Sequence, residues 1–533
     1  MIHNKEYNNQ NNLDINNQED DNFVKKDKNS FNIKPQKKRK SVKKNYLYNL
    51  LYQIIVLLTP LITTPYLARI LGSSGVGQYS FTYSISTYFI LFGALGFGYY
   101  AQRTIARHQG DKQTQSVLFW EIIIARLVSS ILVISIYIFL ILINVYDETY
   151  KLLMWILLIS VCSTIFDVTF YFQGNEEFGI IALVNSIVRI IGIVFIMIFI
   201  KRSDQVWLYA LFQSIILILS YVLLWPFLIK KICFINIKRI RFWKHFLPTL
   251  RLFIPTIAVS VYTMLDKTLI GILVPGEIEN SSGELVKVAD IENGYYSQSE
   301  KLVKMSLTII TSLGTVMIPR NSQAIANGNK KEFDDNINKA LSFVFLLGIP
   351  IMFGIAGIAF NFAPWFFGEG YEKVPYLIMM FSPLILIIGL SNVFGIQYLL
   401  PQKKDKKYTI AILVGATINI VLNLLLIPRF YSYGACLATI VGELSVTMMM
   451  IIFSKEINFL KILFINWRYF ISGIIMFICI LFTSKLFPEK LIFTSILILE
   501  GLIIYGLLLL LLKDRLLWTY LLKIKQKFKR KVN

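Results

Sequence analysis

The apolar positions of this chain fall in long, nearly unbroken runs separated by short polar stretches, with neither the alternation of a half-buried strand nor the narrow stripe of a soluble helix. Runs such as Ile131–Ile143, Ile190–Ile200 and Leu491–Leu512 lie in segments long enough to cross a bilayer as helices. From Tyr46 onward the pattern predicts about fourteen spans. They cover residues 46–70, 78–101, 117–144, 150–172, 178–200, 206–229 and 247–274, then 294–318, 338–361, 373–398, 408–428, 432–454, 467–486 and 491–512. The expectation is an all-α polytopic membrane protein.

Charge supports this and adds a direction. Basic residues concentrate in alternate loops: Arg103, Arg107 and Lys112, then Lys230 to Lys244, Arg320 to Lys331, Lys403 to Lys407, and Lys455 with Lys461. The intervening loops are short or acidic, as at Gly72–Gly77, Asp147–Glu148, Glu277–Glu292 and Glu369–Lys373. Basic loops stay in the cytoplasm, and an even number of spans would leave both termini there. Lys201–Arg202 is an exception, and the inside loop Gln173–Glu177 carries no basic residue.

Residues 1–44 are rich in Asn, Lys and Asp with almost no apolar cluster, which predicts a disordered cytoplasmic tail. Its basic end, Lys34–Lys44, reads as an anchor to anionic headgroups. The expected organisation continues with a six-helix lobe over 45–229, a basic cytoplasmic linker over 230–246 and a second six-helix lobe over 247–454. Two further helices over 455–512 and a basic tail over 513–533 complete it.

A repeat is legible. Leu71-Gly72 followed by Gly77-Gln78-Tyr79 recurs as Ile270-Gly271 followed by Gly294-Tyr295-Tyr296. The spacing from Gly77 to Arg103 equals that from Gly294 to Arg320. Two halves of six helices share an orientation, so the repeat is parallel, about an axis along the membrane normal.

Composition removes other classes. The chain is 55% hydrophobic and 16% charged, against about a quarter charged for soluble proteins. A net charge of +22 would suit nucleic acid, but its confinement to loops and tails argues for membrane topology and against a nucleic-acid partner. The four scattered cysteines and three histidines have no metal-ligand spacing, so neither a metal nor a cofactor is expected.

Four stretches carry a family resemblance. They are Pro60-Leu-Ile-Thr-Thr-Pro-Tyr-Leu-Ala-Arg-Ile-Leu-Gly72 with Gly77-Gln-Tyr79, and Phe172-Gln-Gly-Asn-Glu-Glu-Phe178. Further on come Thr263-Met-Leu-Asp-Lys267 with Gly294-Tyr-Tyr296 and Pro319-Arg320, then Asn423-Leu-Leu-Leu-Ile-Pro428 with Tyr433-Gly434-Ala435 and Glu443. In this order, from Tyr46 to Leu512, the chain resembles the polysaccharide-transport branch of the multidrug/oligosaccharidyl-lipid/polysaccharide flippase superfamily, the Wzx-type flippases. The resemblance implies a two-lobed bundle with a central cavity in the bacterial cytoplasmic membrane. Its substrate would be an undecaprenyl-diphosphate-linked oligosaccharide, moved outward by alternating access for capsule, exopolysaccharide or related glycans. A glycan polymerase or glycosyltransferase would be a natural partner.

Ionisable groups within apolar spans cost several kcal/mol unless they face a cavity or a partner. The substrate-cavity candidates are therefore Lys267, Lys301, Lys304, Arg69 and Arg189. Lys301 and Lys304 share a helix face and would offset the desolvation of a diphosphate. Asp266, Glu300, Asp167 and Glu443 are ion-pair or coupling candidates; Asp167 and Arg189 belong with Glu121 and Arg126 to a second set expected deeper or toward the inside. Asp266 could pair with Lys301 or Lys304, and Arg189 with Asp167. A small-molecule antiporter would want an acidic cavity, whereas the lean here is basic. A membrane polymerase would want a long external loop with catalytic residues, whereas Pro275–Asn293 is short, acidic and lacks His or Arg. No enzymatic activity is expected.

Overall fold

The computed structural model describes residues 42–143, 147–235, 240–279, 283 and 285–514. The tails expected at 1–44 and 513–533 lie almost wholly outside these residues. The chain is built from helices: α1 (Val42–Ala94), α2 (Phe97–Arg107), α3 (Lys112–Leu142), α4 (Glu148–Phe166), α5 (Thr169–Gly174), α6 (Phe178–Phe199), α7 (Val206–Val222) and α8 (Trp225–Ile229). A 3-10 turn over Phe242–His245 leads into α9 (Phe246–Leu273). Then follow α10 (Val288–Ala326), α11 (Lys330–Phe367), α12 (Val374–Phe381), α13 (Leu384–Ser391), α14 (Asp405–Phe453), α15 (Phe459–Ile465), α16 (Trp467–Ser484) and α17 (Leu491–Leu511). A short antiparallel hairpin joins α9 to α10, pairing Glu277–Glu279 with Leu285–Lys287.

Among the described residues, ten helical segments are long and apolar enough to cross a membrane. That number differs from the expected spans for physical reasons. Two segments are each interrupted and fold back. In α1 the break is Gly72 (φ 68°, ψ 176°), a conformation open to a residue without a Cβ. Leu67 before it and Val76 after it line the same cavity. In α14 the break is Tyr431 (φ 52°, ψ −127°), where a side chain is strained by about 1–3 kcal/mol. Its neighbour Ser432 is held by Glu292, whose carboxylate accepts the Ser432 amide at 3.2 Å. The halves of α14 pack closely, because a Cβ on Gly415 would lie 2.8 Å from the Gly442 carbonyl. The helices α9 and α10 are absent from the apolar segments, and α10 carries Glu300, Lys301 and Lys304 in its middle.

Pro60 and Pro65 sit inside α1 and Pro350 inside α11, while Pro383 stands where α12 gives way to α13. In the second half of α1 and just beyond, Gly93 brings its backbone against Thr164, and Gly96 packs on Phe253. Gly98 meets nothing within 4 Å.

Buried side chains form four clusters. Three draw their buried members from residues between Leu67 and Ile232. The fourth runs from Ile270 to Leu509 and takes in Ala68. The acidic loops meet at one end of the molecule. There Lys287 pairs with Asp147, Lys373 with Glu292, and the Tyr150 hydroxyl donates to Asp290 at 2.7 Å. Arg202, part of the basic exception, is answered by Asp204 at 2.8 Å. At the other end Glu177, in the loop without basic residues, takes Lys231 as its partner.

That second end also secures the connection between the two groups of helices. Glu121 of α3 accepts the Arg241 amide at 3.0 Å, pairs with Lys244 at 3.0 Å and bonds buried His245 at 3.1 Å. The other ring nitrogen of His245 bonds Tyr100 at 2.8 Å.

The acidic end is closed by a backbone crossing. The repeat glycines Gly77 and Gly294 oppose one another, each beside a carbonyl four residues before its counterpart. A Cβ on Gly77 would stand 1.6 Å from the Asp290 oxygen, and one on Gly294 would stand 2.0 Å from the Ser73 oxygen. No side chain fits there. A cysteine placed at Ser73, which is only 9% exposed, should react slowly with a membrane-impermeant maleimide. Adding Gly77→Ala should raise that rate at least about tenfold by wedging the crossing apart. Gly98→Ala, placed in open space, should leave it unchanged. An unchanged rate in the Gly77 variant would mean the crossing does not hold that end shut.

Candidate functional site

Beneath the crossing lies a cavity of about 470 Å³, walled by α1, α7, α9 and α10. Lys267 comes from α9, and Glu300, Lys301 and Lys304 come from consecutive turns of α10. Glu300 is buried and holds two ammonium groups, Lys267 at 2.9 Å and Lys304 at 2.6 Å. The triad ties α9 to α10. Lys301 also lines the cavity and has no carboxylate within ion-pair distance among the described residues. One anion therefore faces three cations, leaving the wall net positive in a site where charge is poorly screened.

Asp266 does not pair with a lysine, as the sequence allowed. Its side chain turns away from the cavity and accepts from Asn423 at 2.5 Å, Tyr296 at 2.6 Å, Thr439 at 2.8 Å and Asn419 at 3.2 Å. All five residues are buried. The sequence signal for this site is Asn423, which opens the fourth motif, together with Asn419 one turn before it on an apolar helix.

The remaining candidates are dispersed. Arg69 is exposed and donates to the Trp365 carbonyl, bridging α1 to α11 at the closed end. Arg126 takes Asp167, at 2.9 Å to its carboxylate and 2.9 Å to its carbonyl. Asp167 is thus paired with Arg126 rather than Arg189. Arg189 is half-buried and does not line the cavity. Glu443 is also half-buried and outside the lining, one turn of α14 beyond Thr439. The structure brings together Lys267, Glu300, Lys301 and Lys304, with Asp266 directly behind them.

Next to the cavity is an apolar cleft of about 270 Å³ between α1, α10, α11 and α12. Leu57 and Met305 line both. The opposite wall of the main cavity carries Tyr79, legible in the sequence only as part of the repeat and the first motif, with Tyr83 and Tyr209, which had no sequence signal.

Apolar helices enclosing a charged cavity that is sealed at one end define the fold of a polytopic membrane transporter. Two solved structures share that fold. The lipid II flippase MurJ in an inward closed conformation superposes with a TM-score of 0.69 over 88% of this chain and 99% of its own, at 18% identity. An inward-facing multidrug resistance MATE family transporter gives 0.54 over 75% and 97%, at 10% identity. In sequence, residues 42–325 match the family described as polysaccharide biosynthesis protein, and the chain belongs to that family. It is similar to a putative O-antigen transporter of Escherichia coli K12, 24% identical over 78% of this chain and 97% of that one. It is also similar to the lipid II flippase MurJ of Bacillus subtilis, 27% identical over 27% of each chain.

The ion triad makes a stability prediction. Removing the shared anion leaves two ammonium groups uncompensated, Lys267 with its side chain 17% exposed and Lys304 40% exposed, so the cost falls below that of a fully buried pair, about 3–5 kcal/mol. Glu300→Gln should therefore lower the unfolding temperature of the detergent-purified protein clearly. Lys301→Met, which breaks no ion pair, should not. Equal unfolding temperatures for the two variants would remove Glu300 as the anchor.

Proposed function

We propose that this protein moves undecaprenyl-diphosphate-linked oligosaccharide units across the bacterial cytoplasmic membrane by alternating access. The observation that carries the reading is the lysine wall beside an apolar cleft. A lipid diphosphate needs both: cations for the phosphates and a dry path for the chain. Lys267, Lys301 and Lys304 hold the diphosphate, and the cleft along Leu57, Leu61 and Met305 admits the isoprenoid. The basic loops place the open end of the cavity in the cytoplasm and the Gly77–Gly294 crossing outside. Helices α1–α8 act as one lobe and α9–α14 as the other, rocking about the linker that Glu121 and His245 fasten.

A small-molecule cation antiporter fits less well. Glu300 is the only carboxylate among the described lining residues, and two lysines already occupy it. Asp266, buried among donors from α10 and both halves of α14, is the group we assign to coupling, taking up a proton or small cation as the lobes move. A glycan polymerase or glycosyltransferase would act next to this step.

Replacing Lys301 and Lys304 together by Gln should abolish glycan export while membrane insertion stays normal. Complete lipid-linked units should then accumulate, shielded from a probe added outside the cell, as they should when the protein is depleted. Normal export by the double variant would take the lysine wall out of the substrate path. Complete units found outside but unpolymerised would place the protein after translocation. For coupling, Asp266→Asn in proteoliposomes should make flipping indifferent to an imposed proton or sodium gradient. Retained gradient dependence would move coupling elsewhere.

A further inference from the structure

The cavity keeps its charges to one side. Every charged residue that lines it, among those described, belongs to α9 or α10. The facing wall, from α1 and α7, is neutral: Tyr79, Tyr83 and Tyr209 with Gln53, Thr64 and Ser80. Tyr79 and Tyr83 lie one helical turn apart with their rings stacked, centroids 5.4 Å apart at 17°. Tyr209 leans on Tyr79 at 4.5 Å and 58°, and its hydroxyl is already engaged by Gln213 at 2.9 Å. The contacts fix the three rings as a panel, so little side-chain entropy remains to be lost on binding.

Such a panel suits one kind of ligand surface. A pyranose ring presents a face of C–H groups to an aromatic ring and hydroxyls around its edge, which Gln53, Thr64 and Ser80 can meet. An acidic sugar would find no cation on this wall, and its carboxylate would have to compete with the diphosphate for the lysines opposite. The cations opposite are matched to the diphosphate.

Resting on the flippase reading above, we propose that the Tyr79–Tyr83–Tyr209 panel is the sugar subsite and selects a neutral or N-acetylated first sugar over a uronic acid. The diphosphate sits across the cavity on Lys267, Lys301 and Lys304, so the lipid-linked headgroup spans the two walls. Recognition is thereby divided: one wall reads the phosphate common to all such lipids, and the other reads the sugar.

The test uses the full chain in nanodiscs and three probes: undecaprenyl diphosphate, the same lipid bearing N-acetylglucosamine, and the same lipid bearing glucuronic acid. Wild type should bind the N-acetylglucosamine lipid more tightly than the bare diphosphate, and at least about tenfold more tightly than the glucuronic acid lipid. Replacing Tyr79 and Tyr83 by Leu should cost about tenfold for the N-acetylglucosamine lipid while the bare diphosphate binds within about twofold of wild type. That second measurement also shows the variant is folded. Replacing both by Phe keeps the ring faces and should retain the preference. Equal loss for bare and glycosylated lipids, loss in the Phe variant, or equal affinity for the neutral and acidic sugars would each overturn the subsite. Should wild type bind none of the three probes, the lipid-linked reading itself falls.

Discussion

Backbone meets backbone where Gly77 faces Asp290 and Gly294 faces Ser73, and the shape of the cavity follows from that contact. Two helices can approach so closely only where both lack side chains, and the approach brings the acidic loops together. Tyr150 then reaches Asp290, Lys287 reaches Asp147, and Arg69 reaches the Trp365 carbonyl. These are polar contacts of modest individual strength at the rim of the bundle. A seal of this kind suits a gate, because it rests on close backbone geometry and on polar contacts between neighbouring loops. The contact is also symmetric, since the two glycines occupy equivalent places in the repeat.

Below the seal the dominant problem is buried charge. Lysines carried into a membrane protein cost several kcal/mol unless their charge is answered. Glu300 answers two of them and leaves the wall net positive. Complete neutralisation would favour the empty protein and leave nothing for an anion to gain by entering. Three uncompensated lysines would repel one another and strain α9 against α10. One carboxylate among three ammonium groups lies between these limits, and the charge of the proposed diphosphate ligand would complete the balance.

Much of this was legible in the chain. The apolar runs and the alternation of loop charge follow from residue type alone, because hydrocarbon penalises any unpaired backbone or charge in the same way everywhere. The paired glycines could be read as a repeat, although not as a contact, since contact depends on how the halves are brought together. Lys267, Glu300, Lys301 and Lys304 stood out because they are charges in the middle of helices. Their pairing did not: Asp266 lies next to Lys267 in sequence, yet the carboxylate that holds Lys267 is Glu300, and Asp266 turns to Asn419, Asn423 and Thr439. Arg126 rather than Arg189 claimed Asp167 for the same reason. Partner choice is a property of helix rotation, which the sequence encodes only through packing. The break at Tyr431 was legible as a position, since the spans 408–428 and 432–454 leave it between them, while its hold through Ser432 and Glu292 was not.

An amphiphile with an anionic centre needs three environments at once: cations for the phosphates, a polar aromatic surface for the sugar and an apolar exit for the tail. The cavity and its side cleft provide these on different helices, with Leu57 and Met305 on the boundary between the dry and the charged compartments. The cations and the aromatic panel belong to opposite groups of helices, so a headgroup that touches both draws those groups together. Under the proposed alternating access, separation of these groups would make the two walls lose their common ligand in stages. A site divided in this way couples occupancy to lobe position through differential contact alone, which is what alternating access requires of a substrate.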